Sequence, residues 1–170
     1  MAHGGVFAGT SVDRGTRLLL ERIPELPRAA AILDLGCGSG LLATAAALAQ
    51  PHAAVTATDR SDAAVRSTLL TSAANGARVT ALRDDAAASV ADGSIDVVLL
   101  NPPFHADAAV HTGLAHRMFE AAGRVLRPGG ELWSVWNGHL RYRAALERAV
   151  GPTRQVARDA TFTVTASRRG

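Results

Sequence analysis

Between an apolar run and an alanine-rich run lies the stretch Asp34-Leu35-Gly36-Cys37-Gly38-Ser39-Gly40. Its glycines allow a tight backbone turn and let a ligand approach the main-chain N–H groups. A helix beginning just beyond the loop would place its positive dipole end there, which favours an anionic group such as a carboxylate. The stretch therefore predicts a strand, a ligand-binding loop and a helix, in that order.

Outward from this loop, β-branched and apolar runs alternate with Ala- and Leu-rich stretches at helical spacing. The predicted strands are Ala31 to Asp34, Ala54 to Asp59, Arg78 to Leu82, Ile95 to Leu100, Glu131 to Trp136, Thr153 to Arg158 and Thr161 to Ser167. The predicted helices are Asp13 to Ile23, Leu41 to Gln50, Ser61 to Ala74, Ala108 to Leu126 and Leu140 to Val150. We predict an N-cap at Ser61, a helix stop at Asn75-Gly76, and a turn at Arg127-Pro128-Gly129-Gly130. This alternation predicts an α/β sheet with right-handed crossovers, and a tight turn near Asp159-Ala160 requires the last two strands to be antiparallel.

The composition indicates one globular domain, because 170 residues with 48% hydrophobic side chains can form a sizeable core. All 18 basic residues are arginine and the net charge is +3. Arginine suits phosphates and bases, so an RNA partner is compatible with this charge, although a GC-rich genome that replaces lysine with arginine is the favoured explanation of the missing lysines.

Cysteine usage and hydropathy predict a soluble cytoplasmic protein. Cys37 is the single cysteine, which excludes an intramolecular disulfide. Residues 35–58 carry no charged side chain, but their glycines, Pro51 and His52 indicate loop, helix and strand rather than a membrane span. No signal peptide pattern is visible at the N-terminus.

Asp59 ends the predicted strand that follows the glycine loop, where an acidic side chain can hydrogen-bond ribose hydroxyls. A nicotinamide-binding loop would have the spacing G-x-G-x-x-G, which requires glycine at the position of Leu41. The observed spacing is G-x-G-x-G and so favours a different nucleoside cofactor.

The tetrapeptide Asn101-Pro102-Pro103-Phe104 follows the predicted strand that ends at Leu100, at the sheet edge where ligands bind. The Asn101 side-chain oxygen and the Pro102 carbonyl can accept hydrogen bonds from one NH2 group and orient its lone pair. The proline rings restrict the turn, and Phe104 can stack on a planar base. Asn and Pro are also ordinary turn residues. The position after the fourth strand of a chain with a cofactor loop favours the catalytic interpretation, which requires no metal.

The Asp-x-Gly-x-Gly-x-Gly run resembles motif I of class I S-adenosylmethionine-dependent methyltransferases. Together with Gly5 to Gly9, Val12 to Leu20, the loop 101–105 and the segments 136–140 and 162–167, it resembles the ribosomal RNA guanine-N2 methyltransferases, namely the small-subunit methyltransferase C and large-subunit methyltransferase G groups. The resemblance implies a Rossmann-like, mostly parallel seven-stranded sheet with one antiparallel C-terminal strand and helices on both faces. It implies a single methyltransferase domain over 1–170, with an N-terminal segment and helix at 1–27 and the core at 28–170.

The resemblance also assigns site residues. S-adenosylmethionine would be bound by Thr16, Asp34, Gly36, Cys37, Gly38, Gly40, Asp59, Arg60, Asp85, Ala86 and Asn101, with Asp84 as a rival to Asp85. The catalytic residues would be Asn101, Pro102, Pro103 and Phe104. The RNA substrate would contact Phe104, His105, Arg141 and Arg143. No metal ligand is predicted.

The resemblance further implies a ribosomal RNA or ribosomal subunit as partner. Members usually carry a degenerate second half before this domain, so we expect either a minimal form or a missing N-terminal half-domain or partner chain. The alternatives are adenine-N6 or protein glutamine-amide methylation, a nicotinamide oxidoreductase, and a non-catalytic RNA-binding module on the same fold.

Overall fold

The computed structural model describes residues 12–102 and 108–170, and of residues 108–112 only the backbone. The helices are α1 (Arg14–Leu20), α2 (Leu41–Ala49), α3 (Asp62–Ala74), α4 (Ala108–Val125) and α5 (Arg143–Ala149). The strands are β1 (Ala31–Leu35), β2 (Ala54–Asp59), β3 (Thr80–Arg83), β4 (Ile95–Leu100), β5 (Leu126–Asn137), β6 (Thr153–Arg158) and β7 (Phe162–Arg168). Short 3-10 helices lie at Ile23–Glu25 and Gly138–Leu140. No helix among these residues is both long and apolar enough to cross a membrane.

The seven strands form one sheet in the order β3-β2-β1-β4-β5-β7-β6. Neighbouring strands from β3 to β5 pair in parallel, and β7 runs antiparallel to both β5 and β6. This confirms the predicted sheet with its one reversed strand. The carboxyl ends of β1, β2, β4 and β5 consequently lie along one edge, which we call the carboxyl edge.

Helices cover both faces of the sheet, as predicted. Successive side chains of a strand point to opposite faces, and in β1 Ile32 joins a core with Leu19 of α1 and Leu42 of α2. The next residue, Leu33, joins a second core with Phe119 of α4. The described part of the N-terminal segment thus packs directly on the sheet.

Several predicted boundaries are confirmed, and each has a capping interaction. The Ser61 hydroxyl accepts a hydrogen bond from the backbone N–H of Ala64 at the start of α3. Asn75 caps the end of α3, and Gly76 follows with φ +67°. The Asp159 carboxylate accepts hydrogen bonds from the backbone of Thr161 and Phe162 and so closes the turn between β6 and β7.

Three predicted elements differ from the structure by three or more residues at one end. β5 begins at Leu126, which pairs with Ile95, and the register then shifts before Glu131. The predicted turn at 127–130 is therefore an irregularity within β5. The last helix is shorter than predicted because Arg141 takes a left-handed conformation, with φ +53°, that interrupts it. The first helix ends at Leu20, before the predicted Ile23.

Candidate active site

A cavity of about 490 Å³ opens at the carboxyl edge, between the ends of β1, β2 and β4 and the helices α1 and α4. Its volume lies within the range of small-molecule sites. Its lining includes most of the residues that the sequence assigned to the cofactor. The predicted residues in the wall are Thr16, Gly36, Cys37, Gly38, Asp59, Arg60, Asp84, Asp85, Ala86, Asn101 and Pro102.

The glycine loop exposes its backbone in the cavity wall, because two of its residues have no side chain there. Gly36 and Gly38 have φ of +77° and +54°, a region that favours glycine. A Cβ on Gly36 would lie 2.8 Å from Cε of Met118, whereas a Cβ on Gly38 would meet nothing within 4 Å. The backbone N–H groups of Gly36 and Cys37 donate to the carbonyl of Thr58, which fixes the loop against the end of β2.

Asp59 connects the glycine loop to the next strand. Its carboxylate accepts hydrogen bonds from the backbone N–H of Gly38 at 3.1 Å and of Ser61 at 2.9 Å. Because a carboxylate has about four lone-pair sites, Asp59 retains capacity to accept from ligand hydroxyls. It therefore both shapes the loop and offers an acceptor in the cavity wall.

Two residues assigned to the cofactor do not line the cavity. The Asp34 carboxylate is buried and accepts a hydrogen bond from the backbone N–H of Ala43. Gly40 is the N-cap of α2, and a Cβ there would lie 2.6 Å from Cα of Thr68 in α3. Both residues fix α2 against its neighbours, and their direct contact with the cofactor stays a prediction.

Cys37 is a packed residue of the cavity wall. Its thiol is buried and accepts a hydrogen bond of 3.1 Å from the Thr68 hydroxyl. Burial, with the nearby Asp34 carboxylate, raises the pKa of the thiol far above its usual value. A thiol held protonated is a poor nucleophile, so Cys37 has a packing role in the cavity wall.

The segment after β3 forms the far wall of the cavity. Asp84 is partly buried, which acts to raise its pKa, but hydrogen bonds from the hydroxyl and backbone N–H of Ser89 lower it below the usual value. The exposed Asp85 forms an ion pair of 3.0 Å with Arg117 of α4. Ala86 has φ +50°, an uncommon conformation for a residue with a side chain.

Asn101 lies at the end of β4 with its amide at the cavity wall. Its Nδ2 donates to Oδ2 of Asp13 at 3.0 Å and to Oγ1 of Thr16 at 2.8 Å. Its Oδ1 is buried and accepts no hydrogen bond from the described residues. The predicted catalytic residues Pro103 and Phe104 and the substrate residue His105 lie outside the described residues, as does the Gly5 to Gly9 segment.

The two predicted RNA-binding arginines differ in their surroundings. Arg141 is exposed and follows β5 at the carboxyl edge, where it makes no ion pair with the described residues. Arg143 donates to Glu147 at 3.0 Å and to the carbonyl of Thr153 at 2.7 Å. Thr153 begins β6 at the opposite edge and Arg143 does not line the cavity, so the structure favours Arg141 over Arg143 for the substrate contact predicted from the sequence.

Sequence reasoning missed part of the cavity wall. The sequence predicts Asp13 only as the start of a helix, and its position three residues before the predicted site residue Thr16 is the signal that indicates a place in the wall. Leu114 and Met118 of α4 are spaced four residues apart and so share a helix face. The other missed residues are Val12, Leu35, Ser39, Leu41, Leu42, Thr58, Ser61 and Ala64. Within the described ranges, no cluster of His, Cys, Asp or Glu could hold a metal ion.

The sheet order, the reversed β7 and the glycine-lined cavity at the carboxyl edge define a class I methyltransferase fold. The chain belongs to the methyltransferase small domain family, whose model matches residues 1–166.

Curated relatives and a solved structure extend the comparison. The chain is 46% identical to ribosomal RNA large subunit methyltransferase G of Streptomyces coelicolor over 95% of its length, and 44% identical to that of Pseudomonas paraeruginosa, also over 95%. It spans 44% of the length of each relative. It is also similar to the T. thermophilus 16S rRNA N2 guanine methyltransferase RsmC, solved with AdoMet and guanosine. The TM-score is 0.84 and the identity 29%, over 98% of this chain and 46% of that one.

Proposed function

We propose that this chain is the catalytic domain of an S-adenosylmethionine-dependent methyltransferase that methylates the exocyclic N2 of guanine in ribosomal RNA. One observation carries the proposal: the buried Oδ1 of Asn101, at the wall of the cavity, accepts no hydrogen bond from residues 12–102 or 108–170. A buried acceptor without a partner is costly, so its partner is expected to come from a ligand.

The cavity fits the proposed cofactor. Gly36 and Gly38 leave main chain accessible where a Cβ would intrude or strain the loop. Leu41 begins α2 beside them, so the helix N-terminus favours the carboxylate of the methionine part. Asp59 would accept from the ribose hydroxyls, and the segment at Asp85 and Ala86 would border the adenine. When bound, S-adenosylmethionine would supply an electrophilic methyl group to the target nitrogen, with its methyl–sulfur bond broken, S-adenosylhomocysteine released and one proton lost from the nitrogen to solvent.

Asn101 would act on the target amine. An NH2 on an aromatic ring is a poor nucleophile because its lone pair is delocalised. A hydrogen bond from that NH2 to Oδ1 of Asn101 holds the nitrogen in place, and the Pro102 carbonyl is a second acceptor as proposed from the sequence. Because both acceptors belong to the end of β4 and its turn, they would be preorganised before the substrate binds.

The guanine and RNA assignments are supported by the relatives. RsmC was solved with guanosine, and the relatives named large subunit methyltransferase G favour large-subunit RNA. The exposed Arg141 at the carboxyl edge can contact a phosphate, and His105 and Phe104 keep their proposed substrate contacts. Since the relatives are more than twice as long, we propose that their additional part, or a partner chain, contributes to RNA binding. A ribosomal substrate implies a cytoplasmic enzyme.

The test measures labelled methyl transfer from S-adenosylmethionine to ribosomal RNA, DNA and release factors, followed by nucleoside analysis. We expect N2-methylguanosine in RNA, and a loss of roughly 10² to 10³-fold in kcat for Asn101→Ala, as when a preorganised polar group is removed. Methylation of adenine or of a protein amide instead, or full activity in Asn101→Ala, would contradict the proposal.

Cofactor binding is tested separately by calorimetry. Asp59→Ala removes the acceptor and loosens the Gly38 backbone, so we expect S-adenosylmethionine to bind roughly 10 to 100-fold more weakly. The matched control is Asp62→Ala, three residues away, whose exposed carboxylate faces Arg83 outside the cavity. Equal affinity of both variants would count against the assigned site.

A further inference from the structure

The orientation of the Asn101 amide is determined by two residues of the N-terminal helix. Nδ2 of Asn101 lies 3.0 Å from Oδ2 of Asp13 and 2.8 Å from Oγ1 of Thr16, although these residues precede it by 88 and 85 positions. The Thr16 hydroxyl in turn donates to Oδ2 of Asp13. Three side chains therefore form one closed hydrogen-bond network at the cavity wall.

The polarity of this network permits a single arrangement. An ionised carboxylate only accepts hydrogen bonds, so the end of the Asn101 amide that faces Asp13 must be the NH2 group. The Thr16 hydroxyl donates its one hydrogen bond to Asp13, so toward Asn101 it can act only as an acceptor. Oδ1 of Asn101 is consequently directed away from the network and remains without a partner among the described residues.

We propose that Asp13 and Thr16 are positioning residues that determine which end of the Asn101 amide meets the target nitrogen. This rests on the proposed function, in which the target is an NH2 group. If the Asn101 amide were flipped by 180°, its NH2 group would face the NH2 group of the substrate. Two hydrogen-bond donors would then face each other, and the substrate amine would be repelled. The carboxylate of Asp13 prevents the flip without touching the substrate, because it would then face Oδ1 of Asn101 and repel it.

Asp13 also has a purely structural role, from which the proposal must be separated. Its carboxylate caps α1 by accepting from the backbone N–H of Gly15 at 2.9 Å and of Thr16 at 3.2 Å. Asparagine is about as good an N-cap as aspartate, so Asp13→Asn keeps the cap. Its new NH2 group, however, would face Thr16 or Asn101 as a donor opposite a donor. The variant therefore disturbs the network while preserving the helix.

Thr16 provides a second and independent variant. Thr16→Val keeps the shape but removes the hydroxyl, whereas Thr16→Ser restores it. Asp159→Asn is the matched control for Asp13→Asn, because the Asp159 carboxylate likewise accepts from the backbone N–H groups two and three residues ahead. Asp159 does not contact Asn101.

The experiment measures kcat, KM for RNA and melting temperature. It also records the NMR signals of the Asn101 side-chain NH2 group in the cofactor-free protein. These signals are assigned as those lost in Asn101→Ala. For Asp13→Asn we expect kcat to fall about 10 to 100-fold with an unchanged melting temperature, since an orienting group rather than the reacting group is altered. The Asn101 NH2 signals should shift and exchange faster with solvent. Thr16→Val should show the same fall in kcat and the same changes in the Asn101 signals. Thr16→Ser should have a higher kcat than Thr16→Val. Asp159→Asn should leave the Asn101 signals unchanged.

Unchanged Asn101 signals and kcat in Asp13→Asn would overturn the inference, as would a fall in kcat that only tracks a lower melting temperature. If the wild-type chain methylates no acceptor, the proposed function fails. The NMR comparison still decides the positioning, because it requires neither cofactor nor substrate.

Discussion

The backbone N–H of Ala43 donates a hydrogen bond of 3.0 Å to the carboxylate of Asp34, which is almost completely buried. Burial raises the pKa of Asp34 to about 7, against the opposing effect of this hydrogen bond and with a smaller contribution from the Asp59 charge. The acidic residue of the glycine motif thus lies inside the protein, between the end of β1 and the first turn of α2.

This burial predicts a dependence of stability on pH. Between about pH 4 and pH 7 the unfolded Asp34 loses its proton while the folded one keeps it, so the free energy of unfolding decreases as pH rises through this window. Asp34→Asn can still accept the hydrogen bond from Ala43, but its side chain does not titrate. Over this window we expect the free energy of unfolding of the variant to decrease by more than about 1 kcal/mol less than that of the wild type. Denaturant unfolding of both proteins at pH 4, 5.5, 7 and 8 measures it. Parallel curves would show that Asp34 does not titrate in this range.

Gly38 and Gly40 are predicted to differ in what an alanine would disturb. Both have positive φ, so each substitution costs about 1–2 kcal/mol of backbone strain. At Gly40 the new Cβ would also meet the backbone of Thr68, so Gly40→Ala should be less stable than Gly38→Ala by at least about 1 kcal/mol. Gly38→Ala should chiefly weaken cofactor binding, because its methyl group enters open space at the cavity. Melting temperature and calorimetric affinity separate the two, and equal effects on both quantities would reject the distinction.

Arg141 and Arg143 form a matched pair for RNA binding. Arg141→Gln removes an exposed charge at the carboxyl edge, so we expect weaker RNA binding. The slope of the logarithm of affinity against the logarithm of salt concentration should become shallower by about one. Arg143→Gln removes hydrogen bonds to Glu147 and Thr153, and we expect a stability loss of about 1 kcal/mol or less with an unchanged salt slope. Titration of a labelled ribosomal RNA fragment at several salt concentrations measures both slopes. Identical slopes for wild type and Arg141→Gln would exclude the proposed phosphate contact.

Local sequence was sufficient for the elements with strong patterns. β2 and β4 have the predicted bounds, and Ser61 and Asn75 cap α3, because hydrophobic periodicity and capping depend on neighbouring residues. Sequence was insufficient around Arg141, whose left-handed backbone no local pattern signals, and at Leu126, whose strand assignment depends on pairing with Ile95. Successive positive φ values at Ala86 and Ala87 were equally unpredictable.

By itself the sequence determined the kind of fold and the two motifs at the sheet edge, since glycine spacing and strand periodicity are properties of adjacent residues. Only the tertiary structure decided which motif residues face the cavity. It turned Asp34 and Gly40 toward α2 and α3, and it brought Asp13 and Thr16 to Asn101 from more than 80 positions away. The reason is physical: the direction of a hydrogen bond and the space for a Cβ depend on groups that become neighbours only when the helices pack on the sheet.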